Sequence, residues 1–146
     1  MSQQPYIQDV EPGQQFTPLV KRPATRQLVM YAGASGDFYE IHYDKDYALA
    51  QRLPGVIVHG ALKSAFLGQL VTDWMGPEGA LRSLSVRYRE MDVPGDTLTC
   101  RGKVRQKDVR AGTVTCEIWL ENSAGVKTTT GEAVVALPTR PAVSSS

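Results

Sequence analysis

The chain is poor in the side chains that usually announce chemistry. Its 146 residues include only two histidines, two cysteines, two tryptophans and three phenylalanines. The cysteines, Cys100 and Cys116, have no metal-binding or redox spacing and fall at apolar positions of alternating segments, so they read as reduced core residues. No apolar run approaches the ~18 residues of a membrane span. The opening Met-Ser-Gln-Gln-Pro has no basic stretch followed by an apolar core, and the expectation is a cytoplasmic protein without a secretory signal. Net charge is +1, which gives no electrostatic footprint for nucleic acid or an anionic membrane. The basic residues Arg101, Lys103, Arg105, Lys107 and Arg110 form the one loose run of like charge, and their alternation reads as the solvated face of a strand. No nucleotide, flavin or metal motif is present, so no cofactor is expected.

What remains is an ordinary globular composition, 42% apolar and 21% charged, of a length suited to one domain with a real core. Residues 1–8 and 139–146 are polar or broken by proline and read as flexible tails around a domain at 9–138. A short strand is expected around Gln15 to Val20, then Pro23 in the first turn of a helix over Thr25 to Ala34, terminated by Gly36. Asp44 is placed to cap a second short helix running to Gln51. From Val58 to Trp74 the residues Val58, Ala61, Leu62, Ala65, Phe66, Leu70 and Trp74 recur at helical spacing, and Gly76-Pro77 ends the run. The period then changes to two: Leu84, Val86 and Tyr88; Leu98, Cys100, Gly102 and Val104; Val114, Cys116, Ile118 and Leu120; and a last strand ending near Leu137. So apolar a helix must be covered, and a curved antiparallel sheet of five or six strands wrapped round it is the simplest cover.

The chemically rich segment lies between the first two helices. Asp37 follows Gly36, and His42 comes five positions later. In a continuous helix five residues turn a side chain by about 140°, so the two converge only if the backbone leaves the helix, and Gly36 supplies the break. Phe38, Tyr39 and Ile41 can anchor the intervening loop by burial. The second histidine, His59, precedes Gly60 where the long helix begins. A carboxylate and an imidazole can move protons near neutral pH, and a free N–H at a helix N-terminus can steady a developing oxyanion. The bland reading stands beside this one: an aspartate after a helix-ending glycine is an ordinary turn residue, and a lone histidine is an ordinary satisfied side chain. For His59 a structural role is the plainer reading.

The pattern Ala34-Ser-Gly-Asp-Phe-x-x-Ile-His-x-Asp-x-x-Tyr-Ala48 resembles the signature of the MaoC-like, (R)-specific enoyl-CoA hydratases, which have the hot-dog fold. Pro54-Gly-Val-Ile-Val-His-Gly60, Val93-Pro-Gly-Asp96 and Thr130-Gly-Glu-Ala-Val-Val135 match in the same order, so the likeness spans roughly residues 9–138. It implies an α+β hot-dog domain that hydrates 2-enoyl thioesters or dehydrates 3-hydroxyacyl thioesters. In this reading Asp37 and His42 activate water, and Gly60 N–H binds the thioester oxygen. The implied substrate is an acyl group on coenzyme A or an acyl-carrier protein, with no separate cofactor. The implied assembly is a homodimer or larger, or a heteromer with a second hot-dog subunit. Val71-Thr-Asp-Trp-Met-Gly-Pro77 is also similar to the MaoC-like subunits of actinobacterial steroid side-chain degradation.

The departures matter for substrate. The family commonly has Asn-Pro where this chain has Tyr39-Glu40, so these two, with His59 and Lys63, are the candidate substrate-binding residues. Lys63 sits one turn into the long helix, where relatives are usually apolar; it can reach a substrate or a loop carboxylate, and a solvated or salt-bridged lysine is the plain alternative. Two further readings are an acyl-CoA thioesterase on the same fold and a non-catalytic subunit that completes a partner's pocket.

Overall fold

The computed structural model describes residues 3–142. Its elements run β1 (Leu19–Lys21), α1 (Thr25–Ser35), a 3-10 turn (Glu40–His42), α2 (Lys45–Ala50), α3 (Gly60–Met75), β2 (Ala80–Tyr88), β3 (Leu98–Asp108), β4 (Thr113–Glu121) and β5 (Lys127–Ala136). The strands form one antiparallel sheet in the order β1-β3-β4-β5-β2. Register shifts at Leu81/Ser83, Val104/Gln106 and Leu120/Glu121 add local twist, and the sheet curls round α3 in the hot-dog arrangement.

The period-two pattern sorts the two faces. Leu98, Cys100, Val104, Val114, Cys116, Ile118, Leu120, Ala133 and Val135 point inward and are buried. They share one core with Leu62, Phe66, Leu67, Leu70 and Val71 of α3. Burial pushes the thiols of Cys100 and Cys116 up to about 12, with Lys21 opposing slightly at Cys100. On the outer face Glu117 lies opposite Glu132, a like-charge pairing that Lys103 (3.6 Å to Glu117) and Arg105 (2.6 Å to Glu132) neutralise. Arg101 reaches Glu121 at 3.2 Å and Lys107 reaches Glu11 at 3.7 Å, so the basic run is a solvated strand face.

Three local expectations change. The first strand is confined to Leu19–Lys21, and Gln15 keeps only an isolated bridge to Lys103, because Pro18 has no N–H to give a ladder. Pro23 lies before the N-cap, which is Ala24, and not inside the first turn of α1. The chain ends at both sides of the domain are packed where described. Ile7 is buried and its N–H donates to Pro138 O, Lys107 Nζ donates to Ile7 O, and Arg140 pairs with Asp9. The fold therefore takes in residues before 9 and after 138, since an apolar side chain at position 7 gains more from the core than from water. Of the expected tails, residues 1–2 and 143–146 lie outside the described residues.

Candidate active site

Two backbone devices bring Asp37 and His42 together. Gly36 takes a left-handed conformation (φ 78°) and donates its N–H to Ala32 O, ending α1 as the sequence requires. The chain then makes a turn in which Tyr39 N–H donates to Asp37 Oδ1 at 3.4 Å, and it enters the 3-10 turn that carries His42. Asp44 caps α2 by accepting from Tyr47 N–H at 3.1 Å. The loop is not held by burial of aromatic rings, because Phe38 and Tyr39 are exposed. Hydrogen bonds hold it instead: Tyr43 Oη donates to Phe38 O at 2.9 Å, and Ile57 N–H donates to Ile41 O at 3.0 Å.

The Ile57 tie also decides the chemistry of His42. Nδ1 of His42 lies 2.8 Å from Ile57 O, which can only accept, so Nδ1 carries the proton. The other nitrogen, Nε2, is left facing Asp37 Oδ2 at 3.8 Å. Asp37 is 46% exposed and His42 8%, so a half-wet carboxylate meets a buried imidazole. That separation is too long for a direct hydrogen bond and suits one bridging water.

His59 lies against the ring of His42. It is fully buried at the N-cap of α3, stacked on the His42 ring at 3.8 Å and 20°, with Tyr31 edge-on at 4.8 Å. Neither of its ring nitrogens meets a hydrogen-bond partner among the described residues. Burial first and His42 second hold its pKa below the ordinary imidazole value, while the Asp37 backbone, near the ring but outside hydrogen-bond geometry, and the Asp37 carboxylate pull the other way. One donor or acceptor atom each from Asp37, His42 and His59 lie within 4.8 Å of one another. The next residue, Gly60, opens α3, and its N–H has no partner among the described residues. Its missing side chain makes room for Tyr88, since a Cβ there would come within 2.9 Å of the Tyr88 ring. Tyr88 Oη shares a hydrogen bond with Ser64 Oγ at 2.6 Å, so this tyrosine covers the first turn of α3.

Tyr39 packs edge-on against His42 (6.2 Å) and Tyr47 (6.1 Å) at the surface of the site. Tyr39 chiefly, then burial, and more weakly Glu40, push the Tyr47 phenol up. Glu40 makes neither a hydrogen bond nor an ion pair with Asp37 or His42 among the described residues. Lys63, a candidate for substrate binding, is 2% exposed, and its ammonium is taken up by Asp92 Oδ2 (3.0 Å) and Glu90 O (3.1 Å), which favours the salt-bridged alternative. Asp92 Oδ2 also accepts from Thr128 Oγ1 at 2.6 Å, and Asp92 O accepts from Val58 N–H at 2.8 Å. Sequence reading missed Asp92 and Thr128. The signal was Lys63 itself, because a lysine on the apolar face of a helix requires a buried anion.

A recess of about 400 Å³ opens beside His42, walled by Val29, Tyr43, Pro54, Val56 and Pro94. A larger one of about 1120 Å³ lies at the other end of α3, near Tyr6, Trp74 and Arg140, and contains none of the site residues. Among the described residues no helix is long and apolar enough to cross a membrane.

Residues 8–131 match the model of the MaoC like domain. The chain belongs to this family. Among its relatives, this MaoC-like domain is 29% identical over 140 residues to an (R)-specific enoyl-CoA hydratase of Rhodospirillum rubrum, covering 92% of this chain and 93% of the relative. It is 31% identical over 98 residues to a 3-oxo-4,17-pregnadiene-20-carboxyl-CoA hydratase beta subunit of Mycobacterium tuberculosis, covering 67% and 74%. The solved (R)-hydratase from A. caviae involved in PHA biosynthesis superposes with a TM-score of 0.82 at 30% identity, over 90% of this MaoC-like chain and 99% of that one.

Proposed function

We propose that this protein is an (R)-specific 2-enoyl-CoA hydratase, equally a 3-hydroxyacyl-CoA dehydratase, acting on acyl thioesters in the cytoplasm. The observation that carries the reading is the approach of Asp37 Oδ2 to His42 Nε2 at 3.8 Å, beyond direct hydrogen bonding and close enough for both to hold one water at their side, in a chain that matches a relative of that name over 92% of its length. In hydration, a water held by Asp37 and His42 loses one proton to the pair as its oxygen bonds to C3. The C2–C3 π bond breaks, and C2 takes a proton back from the pair. Charge grows meanwhile on the thioester oxygen, where the free N–H of Gly60 donates to it. Every atom of the water ends in the 3-hydroxyacyl product, and no oxidant or further cofactor enters the balance. Tyr39 and Glu40, at the surface of the site, contact the acyl group. The carrier is coenzyme A or an acyl-carrier protein.

The chain works as at least a homodimer. β2 is an edge strand, and Tyr88, Met91, Met30 and Phe38 are exposed around it and the site. The test of function is the purified chain with crotonyl-CoA, followed by loss of the conjugated-enoyl absorbance. The product should be a 3-hydroxyacyl-CoA that an (S)-specific 3-hydroxyacyl-CoA dehydrogenase does not oxidise, with no thiol released. Thiol release without loss of that absorbance by hydration means a thioesterase. The likeness to a relative named as a beta subunit favours one second reading, a subunit active only with a partner. In that case the chain alone is inert on short, long and steroid-like enoyl-CoAs and gains activity when a second hot-dog subunit is added.

A further inference from the structure

We infer that His59 is the third arm of the water site: one of its ring nitrogens hydrogen-bonds the oxygen that Asp37 and His42 hold, whether that oxygen belongs to water or to the 3-hydroxyl of the product. This rests on the hydratase reading above.

The size of the cluster selects its occupant. Ligands of a tetrahedral zinc ion at ~2.0–2.1 Å stand about 3.3 Å apart. Partners of one water, at hydrogen bonds of ~2.8 Å and near-tetrahedral angles, stand about 4.6 Å apart. Asp37 and His42 are already 3.8 Å apart, and the three groups spread up to 4.8 Å. The two imidazoles also lie almost flat on each other, at 20°, so an atom held at the short metal distance would sit farther out of both ring planes than one at hydrogen-bond distance. The cluster is a cradle for a small oxygen.

His59 has the capacity such a site needs. A neutral imidazole has one N–H donor and one acceptor nitrogen, and neither has a protein partner although the ring is fully buried. A buried polar atom left unpaired is costly, so its persistence calls for a ligand. The lowered pKa, from burial and from His42, keeps the ring neutral and able to donate or accept. The backbone fixes its position: Ile57 is tied to His42 Nδ1 and Ile41 on one side, and Val58 to Asp92 on the other.

The competing role for His59 is a flat support for His42, and His59→Phe keeps the flat ring while removing both nitrogens. The measurement is equilibrium titration of wild type and variant with (R)-3-hydroxybutyryl-CoA and with butyryl-CoA, which lacks the hydroxyl; any enoyl ester formed is read from its absorbance. Wild type should prefer the hydroxy ester. His59→Phe should lose about tenfold on that ester alone, with butyryl-CoA affinity unchanged, and kcat for crotonyl-CoA should fall at unchanged KM. His59→Gln, which keeps one donor and one acceptor, should retain part of the preference and serves if the phenylalanine variant does not fold. A wild type that binds the two esters alike overturns the inference, as does a variant in which both affinities fall together or neither changes. A wild type with the hydroxyl preference but no hydration activity leaves the cradle standing and removes the catalytic reading. A wild type that binds neither thioester removes both.

Discussion

Replacing Asp92 by leucine is expected to cost about 3–5 kcal/mol of folding stability, a large share of the ~5–15 kcal/mol that holds a domain together. Lys63, Asp92 and Thr128 are all buried, and their hydrogen bonds join α3, the connection after β2 and the start of β5. Deleting the carboxylate strands an ammonium that water cannot reach and breaks the bond to Thr128. Lys63→Met should cost a comparable amount, because Asp92, whose Oδ1 already has no partner, would keep an uncompensated charge. The double variant Lys63→Met/Asp92→Leu should recover most of the loss, since apolar residues of similar volume replace buried ion pairs at little cost. Urea denaturation midpoints of the four proteins close the cycle. Single variants as mild as removal of the half-exposed Arg101–Glu121 pair, worth about 1 kcal/mol or less, would refute the assignment.

The second large effect is on turnover. Asp37→Asn and His42→Ala should each lower enoyl-CoA hydration by at least about a hundredfold. The double variant should fall little further, because the two side chains act on one water and lose a shared function only once. Asp37 is half-exposed and its replacement should leave the thermal midpoint nearly unchanged. His42→Ala also removes the ring on which His59 stacks and the bond to Ile57 O, so it should lower the midpoint as well. Near-normal turnover in either variant takes that residue out of the mechanism.

Much of this was legible in the chain because it is periodic or local. The helical spacing of Leu62, Phe66 and Leu70 located α3, and the alternation through Cys100 and Cys116 located β3 and β4. Gly36 and Asp44 act at the two helix ends where their conformational and capping chemistry placed them. What the sequence hid is set by contacts between distant segments. Nothing at positions 42 and 59 says that the rings stack; that follows from the pairing of Ile57 with Ile41 and His42. The burial of Ile7 follows from its bond to Pro138, over the whole length of the domain. Phe38 and Tyr39 misled because apolar side chains are assumed to be anchors, whereas here both are exposed at the edge of the site.

The depth at which Cys100 and Cys116 lie makes the unmodified protein a convenient reporter on itself. With burial pushing both thiols up to about 12, they stay protonated near neutral pH, and the side chains are shut away from reagents besides. A thiol-specific dye should leave the folded protein untouched and label both positions once urea opens the core, giving a clock for global unfolding. The same inertness makes the natural chain a ready background for a single surface cysteine, at Ala61 for instance, carrying a fluorophore to watch thioester arrive at the mouth of the site.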